Sequence, residues 1–188
     1  MMNLKPILTV EISQNQMIVD GGKVFSAPAD TNPTDFFKLL YGNLNLSYLK
    51  FFKMDLLSKL GFLSAEALLQ KVTLTEQQKE TLGMLIFNTS SSLETDVNFQ
   101  QTIQNNNEFF PSPSIFVYTL PNIVIGEIAI KHKLYGENRL MIVEDFCLDK
   151  IMDEASSIIE ANNLKHCVVG YLDFYQDNYK SHFIYLSE

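Results

Sequence analysis

Apolar positions recur along this chain with two different periods, and the periods separate strands from helices. The short runs "ILTVEIS" and "QMIVDGG" flank Gln14-Asn15-Gln16, which predicts an N-terminal hairpin. "PTDFFKLLYGNL" predicts a short helix after Pro33. "MDLLSKLGFLSAEALLQKV", residues 54–72, is the first long helix: Leu56, Leu57, Leu60, Leu63, Ala67 and Leu68 recur near 3.6 spacing, with Gly61 a weak point or a close contact. "TLGMLIFN", residues 81–88, is apolar throughout and bounded by polar residues, as a strand buried on both faces would be. Ser91 with Glu94 three positions on matches a capping box, so a helix is expected over about 93–105, ending in the Asn105–Asn107 run.

Beyond the proline-broken "FFPSPS", a helix is expected to start at Pro121 and end near Gly136. "NRLMIVE" reads as a strand, "CLDKIMDEASSIIEANN" as a helix, "LKHCVVGYLDF" as a strand, and "HFIYLS" as the closing strand. Strands alternating with helices predict an α/β domain with a mainly parallel sheet. No internal repeat or linker divides the chain, so residues 1–188 are expected to form one domain.

Composition narrows the partners. Fourteen basic against twenty-two acidic residues leave a net charge of −8, with no Lys/Arg run to neutralise phosphates, which argues against nucleic acid. An acidic partner would also be repelled on average unless one local face is basic. The nearest basic cluster, Lys131-His132-Lys133 with Arg139, reads as a solvated helix end. No stretch of 18 uncharged apolar residues suggests a membrane span. The N-terminus lacks a signal-peptide core, and two cysteines, Cys147 and Cys167, form no disulfide framework, so a cytoplasmic location is expected. The sequon Asn88-Thr89-Ser90 is then accidental. "TSSSLETD" has no glycine-rich loop with a lysine, so it is no phosphate cradle, and neither a cofactor nor a metal is implied. Clustered aromatics in "DFFKLLY", "KFF" and "EFF" would form exposed patches that expect a partner.

Four segments, in order, carry a resemblance over residues 48–175: "KFFKMDLLSKLGFLSAEALL", "LGMLIFNTSSSLETDVNF", "PSPSIFVYTLPNIVIGEIAIKHKLYG" and "LMIVEDFCLDKIMDEASSIIEANNLKHCVVGYLDFY". Together they resemble the N-terminal half of β-ketoacyl synthases, the condensing enzymes of the thiolase fold; the first 47 residues match loosely. The resemblance implies a single thiolase-like half: a mainly parallel sheet flanked by helices, preceded by the hairpin. It also implies that the two catalytic histidines belong to a second half, which His132, His166 and His182 do not match.

In that family a cysteine nucleophile sits where a helix begins, and there the helix dipole lowers a thiol pKa and backbone N–H groups bind an oxyanion. Counting back at the family's spacing from Gly170, the first of its paired glycines, lands on Asp145; Tyr171 takes the second glycine's place. As an N-cap, Asp145 would stabilise the helix by about 1 kcal/mol. It would be a poor thioester nucleophile and would repel a malonyl carboxylate, and Phe146 fills space the family keeps open. Asp145 is therefore read as a degenerate nucleophile position. The alternative nucleophile is Cys147, if the count carries a two-residue gap; Leu148 would then stand in the acyl path, and Glu144, Asp145 and Asp149 would disfavour a thiolate. Cys167, in an apolar strand, reads as a buried small hydrophobe.

Three roles follow from the resemblance. The first is a non-catalytic subunit of chain-length-factor type, pairing as a heterodimer with a full-length β-ketoacyl synthase in fatty acid or polyketide (aryl-polyene-type) biosynthesis. An acyl carrier protein would then be met through that partner. The second is a 3-oxoacyl synthase component using Cys147, with histidines supplied by a partner chain. The third is a homodimeric acyl-binding scaffold.

Overall fold

The computed structural model describes residues 4–104 and 110–188. Seven strands, β1 (Lys5–Ser13), β2 (Gln16–Val19), β3 (Gly22–Ser26), β4 (Gly83–Asn88), β5 (Asn138–Ile142), β6 (His166–Tyr175) and β7 (Asn178–Ser187), lie in one sheet of order β3-β2-β1-β7-β6-β4-β5. The helices are α1 (Pro33–Asn43), α2 (Leu56–Leu69), α3 (Glu76–Thr81), α4 (Leu93–Gln101), α5 (Pro113–Phe116), α6 (Ile123–His132) and α7 (Leu148–Ala161).

The expected α/β layering is present, but the sheet is mixed. Only β4–β5 and β4–β6 pair in parallel, while β1–β2, β2–β3, β1–β7 and β6–β7 are antiparallel. The expectation of a mainly parallel sheet fails because two tight reversals feed antiparallel partners. Gln14 and Asn15 turn β1 into β2, and Gln176 and Asp177 turn β6 into β7, each pair with φ between 48° and 62°. Two successive left-handed residues are what a two-residue hairpin needs to match strand twist.

Alternation along the central strands sorts the core into two layers. Met84 and Ile86 of β4, with Val168, Leu172 and Phe174 of β6, face α1, α2 and α6. Leu85 and Phe87, with Cys167, Val169 and Tyr171, face α7 through Ile151, Ala155, Ile158 and Ile159. Every residue of β4 is buried, as the apolar run predicted. Gly61 is a close contact: a Cβ there would lie 2.7 Å from Leu172 Cδ2, so glycine lets α2 settle between the sheet and α6.

Several local expectations are corrected. α4 is not capped by Ser91, which adopts φ 55°; Ser92 is the N-cap, and its hydroxyl donates instead to the Thr119 carbonyl at 2.6 Å. The capping box lies at Thr75 and Gln78 of α3, a helix the apolar pattern missed because it buries no residue. α4 ends at Gln101, and the expected boundary at Asn105–Asn107 lies outside the described residues. α6 begins at Ile123 after the N-cap Asn122 rather than at Pro121, and "FPSPS" from Phe110 runs into α5, capped by Ser112. Among the described residues, no single helix is long and apolar enough to cross a membrane.

Candidate functional site

β5 delivers the chain to the start of α7, and this junction is the candidate site. The sheet continues one residue past β5, since Val143 N–H donates to Asn88 O at 2.8 Å. Cys147, not Asp145, is the N-cap of α7: its φ of −132° is extended, and its carbonyl accepts the first helical bond from Ile151 N–H at 3.0 Å. Asp145 lies two residues outside the helix. Its carboxylate is 3.9 Å from Lys150 Nζ, and both side chains are largely exposed, so the pair adds little stability.

The shift of two residues has a physical cause. Phe146 turns inward onto the α7 face of the sheet, its ring 4.7 Å from that of Tyr171, with Lys180 Nζ 3.6 Å over its centroid. Seating that ring delays the helix until Cys147. Tyr171, at the second glycine's place, is thereby part of the packing, and its hydroxyl bonds Thr89 Oγ1 at 2.9 Å. Gly170 has a packing reason as well: a Cβ there would meet Phe183 Cδ1 at 2.7 Å and Ile86 Cδ1 at 2.9 Å.

Cys147 opens on a cavity of about 480 Å³ walled by Phe87, Met141, Val143 and Ile151. Glu144, Asp145 and Glu154 line it, against one cation, Lys150. The thiol sits at a helix N-terminus, and these acids repel an incoming carboxylate. Among the described residues, no histidine lines this cavity.

Two of the three histidines lie away from the junction, and the third, His182, packs beside Phe146 with ring centroids 6.1 Å apart. His132, the last residue of α6, places Nε2 2.8 Å from Oε1 of the buried Glu66 on α2. His166 begins β6 at the opposite end of the strands, bonded to Ser187 Oγ at 3.1 Å and to Gln78 Nε2 at 3.2 Å. His182 lies in the middle of β7; burial lowers its pKa, while Glu11 Oε1 at 3.5 Å pulls it back up. Burial also pushes the Cys167 thiol up to about 12, as expected of an inert core cysteine.

One cluster escaped the sequence reading. At the carboxyl end of β4, Asp173 Oδ1 accepts from Ser90 N–H at 2.7 Å and from Asn88 Nδ2 at 3.2 Å, and Oδ2 accepts from Ser90 Oγ at 3.0 Å. Asn88 Nδ2 also donates to the Leu172 carbonyl at 2.7 Å. Carboxyl ends of parallel strands are where α/β sheets bind ligands. Here the polar groups are spent on one another, and the cluster clamps the loop that leads into α4. A lone Asp inside the apolar "CVVGYLDFY" was the available signal.

No protein-family model matches the chain, and no curated protein matches it. Solved structures do. A chain of a ketosynthase in complex with its chain length factor from Xenorhabdus doucetiae matches with a TM-score of 0.65 at 13% identity, over 100% of this chain and 80% of that one. The ishigamide ketosynthase/chain length factor matches at 0.64 and 14%, over 97% of this chain and 61% of that one. A beta-ketoacyl synthase from Burkholderia phymatum matches at 0.62 and 10%, over 100% and 59%. This chain thus spans about three-fifths of the length of the last two. The likeness takes in the first 47 residues, which match the family only loosely by sequence. At these identities it establishes architecture: this chain has the thiolase-like fold of the ketosynthases and chain length factors.

Proposed function

We propose that this protein is a non-catalytic, chain-length-factor-type subunit that pairs with an active β-ketoacyl synthase in fatty acid or polyketide (aryl-polyene-type) biosynthesis. The observation that carries the reading is the Cys147 cavity, lined by three carboxylates and by no histidine among the described residues. Condensation needs a thiolate to take the acyl group and histidines to assist loss of CO2 from the extender. An acidic cavity repels the extender's carboxylate. In this reading the partner supplies the chemistry and meets the acyl carrier protein, and this chain contributes a rigid half-fold that shapes the partner's acyl tunnel. Co-expressed with a cognate full-length β-ketoacyl synthase, the protein is expected to elute from gel filtration in one peak at a 1:1 ratio. Two separate peaks would sink the proposal, and a self-paired peak that retains an acyl chain would favour the homodimeric scaffold.

The position of Cys147 favours a second reading. A cysteine at the N-cap of a 14-residue helix stands where condensing enzymes activate theirs. If a partner brings histidines to it, an acyl-carrier-protein thioester should leave an acyl adduct on Cys147, visible by intact mass.

A further inference from the structure

A second cavity, of about 620 Å³, lies away from Cys147, between the start of α2, α4 and α5. Its size falls in the range of small-molecule sites. Met54, Leu57 and Tyr118, all buried, contribute apolar wall, and Lys53 and Lys59 line it too. The setting is unusual for so acidic a chain. Between Phe36 and Ala65 stand four lysines (38, 50, 53 and 59) and one acid, Asp55.

Two of these lysines are spoken for: Lys38 Nζ lies 3.1 Å from Asp35 Oδ1, and Lys50 Nζ lies 2.9 Å from Glu127 Oε1. Among the described residues, neither Lys53 nor Lys59 has a carboxylate within 4.0 Å. The acids that line the cavity are already committed. Asp55 caps α2, accepting from Ser58 N–H at 2.9 Å and from Thr95 Oγ1 at 2.7 Å, and Glu94 accepts from Gln176 N–H at 3.0 Å. Lys59 is half-buried, and its pKa is lowered mainly by desolvation, with Asp55 opposing and Lys38 adding to the fall. A half-buried ammonium with no carboxylate in ion-pair contact gains from an anion brought to it.

We propose that this cavity binds a small anionic amphiphile, its carboxylate or phosphate held by Lys53 and Lys59 and its apolar stem laid against Met54, Leu57 and Tyr118. The site is independent of the synthase-partner reading and stands or falls without it.

Residue-resolved acetylation of the isolated full chain tests the proposal, with octanoate and octyl phosphate as probes and inorganic phosphate as the control. By mass action, either amphiphile at ten times its Kd should slow acetylation of Lys59 about tenfold, while the exposed Lys165 is unaffected. The stronger of the two probes identifies the headgroup. Lys53→Gln, an exposed substitution, should weaken the protection of Lys59 severalfold. The proposal is overturned if Lys59 and Lys165 respond alike, or if inorganic phosphate protects as well as octyl phosphate does.

Discussion

Phe183→Ala is expected to destabilise the fold by about 3–5 kcal/mol. For a chain of this length that is a fall in Tm of roughly 6–20 °C. Phe183 is fully buried in β7, its neighbours Val10 across one ladder and Gly170 across the other. The ring occupies the space that a side chain at Gly170 would claim. Alanine leaves a void that Ile86 and Gly170 are poorly placed to fill, because the strands on both sides are fixed by their ladders. The two positions share one space, so Gly170→Ala combined with Phe183→Ala should cost less than the sum of the single changes. Thermal unfolding of the four proteins checks both points; additive losses would mean that the ring and the glycine are not packing partners.

Asp173→Ala is expected to cost about 3 kcal/mol, because Ser90 N–H, Ser90 Oγ and Asn88 Nδ2 all lose an acceptor in a part-buried site. The loss should be local as well as global. In hydrogen exchange, the Ser90 amide should lose its protection outright, while β6 and β7 amides fall only as far as global stability does. Asp173→Asn keeps one acceptor oxygen and should fall between the two. An unchanged urea midpoint for Asp173→Ala would show that the clamp contributes nothing.

The long helices and buried strands of this fold were legible because burial leaves a period in the sequence. α2 shows its leucines at helical spacing, and β4 shows an unbroken apolar run. β3 and α3 left no such trace, since β3 is largely exposed and α3 buries nothing. The sequence shows β7 four residues short because Asn178, Lys180 and Ser181 make its start look polar. Ser181 is nonetheless fully buried, its hydroxyl 2.6 Å from that of Ser64 on α2. Burial on both faces gives the same apolar run in parallel and antiparallel strands, and the reversal at Gln176-Asp177 carries no glycine to announce it, whereas the N-terminal hairpin at Gln14-Asn15 is legible from its flanking runs.

At the candidate site, the sequence placed the right stretch and misplaced the helix start within it. A count along the chain cannot register that Phe146 turns into the sheet to meet Tyr171. That one packing event moves the N-cap from Asp145 to Cys147. Of the histidines, His132 meets Glu66, His166 meets Ser187 and Gln78, and His182 meets Glu11 while packing beside Phe146.

If Cys147 takes no part in chemistry, the rate of condensation by the reconstituted pair should not depend on its thiol. With Cys147→Ala in this chain and the partner synthase unaltered, condensation should proceed within about twofold of the wild-type rate, because a group outside the reaction contributes no transition-state stabilisation. A fall of about a hundredfold or more, the scale of losing an essential catalytic group, with the pair still eluting as one peak, would overturn the non-catalytic role and assign Cys147 to the chemistry.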